Sequence, residues 1–180
     1  DSVYRARHFR QNLGCVVCLG QILNIKNKTN ILRQTAQEFG GLEHRIEKFY
    51  GYKNFVFYND SISTNTSSVV AAVHFFQWDM AFLVLGGRSS EPNFDLVVQV
   101  LQNSASQTEV ICTRSEAGDL FVRSAKKWGW KRFRLVENLE AGVVYIHQNI
   151  EGRGDFDEKS RKKVVLLSPG AKSFDQYQNY

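Results

Sequence analysis

The sequence predicts an α/β fold: a Rossmann-like, open and mostly parallel sheet in a three-layer αβα sandwich, with an amino-terminal helical appendage. Short runs such as Phe55–Tyr58, Ala81–Leu85, Glu109–Thr113 and Val164–Leu167 are apolar nearly throughout, as strands covered on both faces require. They alternate with helix-length segments of about 10–13 residues, the pattern of successive strand–helix–strand units. Right-handed crossovers then place helices on both faces of one sheet. The first forty residues show helical periodicity only.

In the appendage, Arg7 to Leu23 reads as a helix, with Leu13, Val16, Val17, Gly20 and Leu23 spaced along one face. Asn24 to Asn27 is turn-forming. A second helix runs from Lys28 to Phe39, carries Ile31, Leu32, Thr35 and Phe39 on one side, and ends at Gly40-Gly41. The boundary predicted here separates residues 1–40 from residues 41–180. Arg45 to Tyr50 alternates loosely and is taken as a strand, with a turn over Gly51-Tyr52-Lys53-Asn54. Helices are expected over Thr66–Phe76, Phe94–Leu101, Glu116–Trp128 and Leu139–Ile150, and a further strand over Phe133–Val136.

Composition narrows the classes. Apolar residues make up 43% and charged residues 23%, which is ordinary for a globular protein. No apolar run approaches ~20 residues, so no membrane span is predicted. Asp1 to Arg10 carries Arg5, Arg7 and Arg10 without an apolar core, so it is not read as a secretory signal; the missing initiator Met suggests a fragment or processed chain. The net charge of +5 gathers at the start, over Lys126–Arg134 and over Lys159–Lys163. Trp128 and Trp130 among those cations resemble a single-strand stacking platform. A solvated helix end with inward-packed tryptophans accounts for them better, so no nucleic-acid partner is expected. Cys15-Val16-Val17-Cys18 is a lone CxxC inside a helical stretch, and Cys112 lies in a strand; all three are taken as buried apolar thiols of a reducing cytosol. Arg153-Gly154-Asp155 sits in a charged insert, Glu151–Lys163, and carries no functional weight.

The chain is organised around Asn59-Asp60-Ser61-Ile62-Ser63-Thr64-Asn65, a polar loop between an apolar strand and a helix. Open α/β sheets bind ligands at such carboxyl ends of strands, and a helix start offers free N–H groups to an anion. Three other segments are expected at the same edge: His44-Arg45-Ile46-Glu47, Leu85-Gly86-Gly87-Arg88, and Leu166 through Tyr177. Arg45 suits a phosphate, because guanidinium pairs with planar anions bidentately; the alternative is an ion pair with Glu47 or Asp60. Asp60 accepts from ribose or adenine-side donors, kept ionised by Arg45; the alternative is an N-cap or Asx-turn role.

The order and spacing of these segments resemble the carboxy-terminal domain of the Mur ligases, in particular the D-glutamate-adding branch. That family shows G-L-P-H-R-x-E, N-D-S-K-A-T-N, L-G-G and L-L-S-P-A-C-A-S-x-D-Q-F-x-N-F. Here the same places read G-L-E-H-R-I-E, N-D-S-I-S-T-N, L-G-G-R and L-L-S-P-G-A-K-S-F-D-Q-Y-Q-N-Y. Arg7-His8-Phe9-Arg10-Gln11-Asn12 matches the family's exit from its central ATPase domain, R-H-N-x-x-N. The resemblance thus covers almost the whole chain, with residues 1–40 as trailing helices of the central domain and linker.

The resemblance implies a cytoplasmic, monomeric, ATP- and Mg²⁺-dependent ligase of peptidoglycan synthesis, acting in cell wall biogenesis, cell shape and cell division. It would join D-glutamate to UDP-N-acetylmuramoyl-L-alanine through an acyl phosphate. The family's P-loop, Mg²⁺ ligands and carbamylated lysine belong to the central domain, so no catalytic residue and no metal ligand is expected in these residues, and the chain alone is expected to be inert. Asn12, Arg45 and Asp60 would serve ATP; Ser61, Thr64, Ser173 and Tyr180 would line the D-glutamate pocket. The family lysine in N-D-S-K is Ile62 here, and the lysine after L-G-G falls at Ser90. Arg88 and Lys172 are extra cations near the same loops and are expected to replace them. Two alternatives stand beside this: a related Mur or folylpolyglutamate-type ligase for another amino acid, and a non-catalytic Rossmann-like binding module.

Overall fold

The computed structural model describes residues 7–76, 79–152 and 161–172. The chain divides into two compact units, one up to Leu42 and the other from Glu43. The first contains α1 (Arg7–Ile22) and α2 (Lys28–Glu38). The turn between them is carried by Asn24 and Asn27, both at positive φ (49° and 57°), a conformation asparagine tolerates better than most residues. Val16, Leu19, Ile22 and Leu23 stay exposed, from 50% to 78%. Cys15 and Cys18 are exposed with them, which corrects the expectation of buried thiols; only Cys112 is buried. The apolar stripe of α1 is only partly covered: Gly20 is buried and Leu13 and Val17 are half-buried, whereas Val16 and Leu23 are exposed.

The second unit holds β1 (Glu47–Tyr52), β2 (Phe55–Asn59), α3 (Thr66–Phe75), β3 (Met80–Leu85), α4 (Asp95–Asn103), β4 (Glu109–Thr113), α5 (Glu116–Lys127), β5 (Phe133–Val136), α6 (Leu139–Glu151) and β6 (Lys163–Leu167). The six strands lie in the order β1-β2-β6-β3-β4-β5. All neighbours pair in parallel except β1, which runs antiparallel to β2 with Glu47 opposite Asn59 and Tyr52 opposite Phe55. The expected strand at Arg45–Tyr50 is therefore displaced by two residues, and its turn tightens to a hairpin at Lys53 and Asn54. Lys53 takes φ 53° there, a value that sequence alternation cannot reveal.

All six residues of β3 are buried, as expected for a strand covered on both faces. The alternation of side chains across the pleat divides the core in two. Phe82, Val84, Ile111 and Val165 pack with Ile146 and Ile150 of α6. The opposite face takes α3, α4 and α5, which pack against one another in that order; Phe94 meets Phe121 edge-on with ring centroids 6.3 Å apart. Gly142 lets α6 come close: a Cβ there would lie 3.2 Å from Ile111 Cγ2. Asn65, Ser115 and Asn138 cap α3, α5 and α6, their side-chain oxygens accepting from the N–H of Ser68, Gly118 and Ala141. Each such cap stabilises its helix by about 1 kcal/mol. Trp130 is buried and its Nε1 donates to the Arg132 carbonyl, whereas Trp128 is 40% exposed, so only one of the two tryptophans packs inward as expected.

Candidate functional site at the carboxyl edge of the sheet

β2, β6 and β3 are adjacent and parallel, so the loops that follow them emerge side by side. Because β1 is antiparallel, its beginning lies at the same edge, which brings His44–Ile46 beside the Asn59–Asn65 loop. The four segments singled out in the sequence thus meet, and hydrogen bonds stitch them together. The N–H of Asp60 donates to the Leu167 carbonyl (2.8 Å), Gly170 N–H to the Ser63 carbonyl (2.8 Å), Gly86 N–H to the Pro169 carbonyl (3.3 Å), and Ile62 N–H to the His44 carbonyl (3.2 Å).

Asp60 is the centre of this stitching. It is 3% exposed. Its Oδ1 accepts from the Ile46 N–H (3.1 Å), and its Oδ2 from the hydroxyls of Ser63 (2.5 Å) and Ser168 (2.9 Å). Burial pushes its carboxyl above the ordinary value of 3.8; the bonds from Ser63, Ser168 and Ile46, and then the charge of Arg45, offset only part of that rise. Arg45 is therefore the weakest of the influences that favour the carboxylate. Its charge acts in the expected direction, but desolvation is the larger influence. Ser168 carries no local sequence signal for this role, since it meets Asp60 across 108 positions of chain.

The Arg45-bearing turn is held in a strained form. His44 has φ 61° and Ile46 φ 51°, and a β-branched residue in the left-handed region is a true outlier, costing on the order of 1–3 kcal/mol. Its restraints come from both flanks. The His44 N–H donates to Glu47 Oε2 (2.8 Å), and the Asn59 amide lies 2.8 Å from His44 Nδ1. Arg45 itself is half-buried and, among the described residues, makes no ion pair with Glu47, Asp60 or any other carboxylate.

The loop after β3 closes against the loop after β6 through an antiparallel bridge between Arg88 and Lys172. Arg88 N–H donates to the Lys172 carbonyl (2.7 Å), and Lys172 N–H donates back (3.0 Å). Gly87 is required for this approach: at φ 118°, a Cβ would sit 2.4 Å from the Lys172 carbonyl oxygen. Gly86 is equally tight, with a Cβ position 2.0 Å from Thr113 Oγ1. The adjacent glycines thus let the loop fold between β4 and the β6 loop.

Comparison with known proteins places this architecture. No family model matches the chain. The UDP-N-acetylmuramoylalanine–D-glutamate ligase of Geobacillus sp. (strain WCH70) is 27% identical over 180 residues, all of this chain and 37% of that enzyme. The ligase of the same name from Enterococcus faecalis (strain ATCC 700802 / V583) is 27% identical over 173 residues, 96% of this chain and 35% of the relative. Among solved structures, the UDP-N-acetylmuramoylalanyl-D-glutamyl-2,6-diaminopimelate–D-alanyl-D-alanyl ligase of Acinetobacter baumannii superposes with a TM-score of 0.65 at 14% identity, over 92% of this chain and 34% of that one. Folylpolyglutamate synthase of Mycobacterium tuberculosis, complexed with ADP and AMPPCP, gives a TM-score of 0.60 at 13% identity, over 84% of this chain and 35% of that one. The chain is similar in sequence to these ligases and shares its fold with part of the solved Mur and folylpolyglutamate ligases. It spans little more than a third of the length of the curated relatives it matches, and its six-stranded, mostly parallel sheet has the form of a Mur ligase carboxy-terminal domain.

In the second unit Arg45, Asp60, Ser61, Thr64, Arg88 and Lys172 are brought to one edge. Ser61 and Thr64 are half-buried, and Ser61 N–H donates to Asn59 Oδ1 (3.0 Å) in an Asx turn. Ile62 is 55% exposed. Ser173, Tyr180 and the Arg153-Gly154-Asp155 tripeptide lie outside the described residues. Asn12 is exposed on α1, in the other unit. Among the described residues, no three His, Cys, Asp or Glu side chains gather to hold a metal ion, and no helix is long and apolar enough to cross a membrane.

Proposed function

We propose that the chain is the carboxy-terminal part of a cytoplasmic, monomeric ATP-dependent ligase that joins D-glutamate to UDP-N-acetylmuramoyl-L-alanine in peptidoglycan synthesis. The observation that carries this reading is the convergence of the four segments on one sheet edge, in a chain whose curated relatives bear that enzyme's name. In the reaction, the alanine carboxylate attacks the γ-phosphate of ATP and ADP departs, leaving an acyl phosphate. The D-glutamate amine then attacks the acyl carbon, and inorganic phosphate and a proton leave as the amide forms.

In this reading residues 1–40 belong to the end of the central domain and 41–180 form the carboxy-terminal one. Arg45 holds a phosphate of ATP, a role suited to a guanidinium that forms no ion pair among the described residues. Asn12 serves the adenine. Asp60 acts mainly from beneath, fixing the loop and the Arg45 turn, since both its oxygens are already engaged. Ser61 and Thr64 offer their hydroxyls to the amino acid, joined by Ser173 and Tyr180. Among the described residues no cluster forms that could hold Mg²⁺, and in this reading its ligands belong to the central domain. With no G-x-x-x-x-G-K-[ST] loop in its sequence, the chain alone is expected to hydrolyse no ATP.

The exposed Ile62, where the family pattern has lysine, favours a second reading: a related Mur or folylpolyglutamate-type ligase taking another amino acid. Full-length enzyme incubated with ATP, the nucleotide-linked acceptor and single amino acids separates the two. ADP release that requires both the acceptor and D-glutamate supports the first. Release that requires a different amino acid supports the second, and release with none contradicts both.

A further inference from the structure

We propose that the turn between α5 and β5 is a docking point for an anionic phospholipid surface. Lys126, Lys131 and Arg132 meet lipid phosphates, and Trp128 enters the headgroup layer. The inference stands apart from the ligase reading and does not depend on it.

Between Asp119 and Glu137 the chain has no acidic residue, while it carries Arg123, Lys126, Lys127, Lys131, Arg132 and Arg134. A tight helix-ending turn gathers the middle of this run. The Trp128 N–H donates to the Ser124 carbonyl (3.0 Å) and the Trp130 N–H to the Ala125 carbonyl (2.8 Å), with Gly129 between them at φ 71°. Such a turn folds the residues that follow a helix back against its last turn. It also stands clear of the rest of the fold: a Cβ built on Gly129 would meet no atom within 4 Å.

Of the cations at the turn, Lys127 is paired with Asp95. Lys126, Lys131 and Arg132 are exposed, and among the described residues they form no ion pair. The Arg132 guanidinium lies 4.5 Å from the Trp130 ring centroid, a contact that leaves its charge uncompensated. Trp128, expected to pack inward, is 40% exposed beside them. An indole has an apolar body and a polar N–H, which suits the boundary between headgroups and acyl chains. Lysines and arginines held near an anionic bilayer are drawn to its negative surface potential.

Shape favours lipid over a nucleic acid, the other common polyanion. Binding a single strand takes a basic groove and successive stacking faces. Here Trp130 is buried, with its Nε1 donating to the Arg132 carbonyl. One indole is offered, on a protruding turn rather than in a groove, and that fits a surface.

Position keeps the turn away from the candidate site. α5 starts at the carboxyl edge of the sheet, where the Ala117 N–H donates to the Gly87 carbonyl (3.0 Å). It ends at the opposite edge, where the Val110 N–H donates to the Arg132 carbonyl (3.0 Å). Its 12 residues span about 18 Å. Docking through this turn therefore leaves the carboxyl edge open to solvent.

The test uses the full-length protein with vesicles of phosphatidylcholine alone and of an equal mixture with phosphatidylglycerol. Cosedimentation is measured at low and high salt, together with tryptophan fluorescence. The proposal expects binding to the mixed vesicles only, weakened by salt, with a blue shift that Trp128→Phe abolishes. Lys126→Gln and Lys131→Gln should each weaken partitioning about fivefold, and the double variant by roughly 25-fold, with thermal unfolding unchanged. Absence of binding to the mixed vesicles overturns the proposal, as does equal binding to phosphatidylcholine alone. Unaltered partitioning of the double variant, or a blue shift that persists in Trp128→Phe, overturns it too. A single-stranded oligouridylate that binds through the same two lysines and displaces the protein from the vesicles assigns the turn to nucleic acid instead, and the lipid proposal falls.

Discussion

The buried carboxylate of Asp60 accepts the backbone N–H of Ile46 at 3.1 Å and holds that β-branched residue at φ 51°. One interaction therefore ties the loop after β2 to the strained turn that carries Arg45. Removing the carboxylate leaves three buried donors, from Ile46, Ser63 and Ser168, without their acceptor. Asp60→Ala should cost at least ~2 kcal/mol of stability, measured by denaturant unfolding. On the proposed ligase reading, it should raise the KM for ATP of the full-length protein as Arg45→Ala should, by about tenfold. Loss of stability with unchanged ATP kinetics would show that the turn does not depend on its anchor.

The same residue gives a signed pH effect. Burial holds the Asp60 carboxyl above its ordinary value of 3.8, so the folded chain binds that proton more tightly than the unfolded one. Its contribution to stability is full below the ordinary value and is lost as pH rises through the raised folded one. Asp95 and Glu151 are shifted the other way, Asp95 chiefly by the hydrogen bond from Lys127 and Glu151 chiefly by that from Tyr52. Their contributions are present above the ordinary carboxyl values and are lost as pH falls. Comparison with Asp60→Asn isolates the first effect. The stability of the wild type relative to this variant should decline as pH rises above the ordinary carboxyl value; a rise would reverse the assignment.

Gly118 sits where the first turn of α5 meets the end of β4. A Cβ there would lie 2.0 Å from the Thr113 carbonyl oxygen, a backbone atom that cannot turn aside. Gly118→Ala should destabilise by ~1–3 kcal/mol despite alanine's better helix propensity. A stabilised variant, read as a higher denaturant midpoint, would show that the helix start can shift.

The three thiols should react unequally. Cys15 and Cys18 are exposed, whereas Cys112 is buried and its pKa is pushed up by desolvation. In the 180-residue chain a thiol-reactive disulfide reagent should modify Cys15 and Cys18 rapidly under native conditions, and Cys112 only on unfolding. Rapid native modification of Cys112 would contradict the packing of β4.

Much of the fold is legible in the sequence because burial on both faces writes itself plainly there. The strands from Phe55 onward are apolar runs, and their ends fall within a residue or two of expectation. Less is legible where structure depends on partners distant in the chain. The α1 periodicity identifies a face but not what would cover it, so burial of Cys15 and Cys18 does not follow from it. The loose alternation of Arg45–Tyr50 gives no sign of the hairpin at Lys53 and Asn54. At the site, short motifs locate the loops, but Asp60 looks like a ligand-facing group because its partners Ile46 and Ser168 lie 14 and 108 positions away. Arg88 and Lys172 are visible as extra cations, but their direct pairing requires the sheet order that places β6 beside β3.

Incorporation of labelled D-glutamate by the full-length protein, set against a panel of labelled D- and L-amino acids, decides whether it adds D-glutamate to a nucleotide-linked muramoyl-alanine. The expected result is ATP-dependent transfer of label from D-glutamate into the nucleotide product. Transfer from a different amino acid in preference to D-glutamate, or no transfer at all, would contradict the proposed reaction.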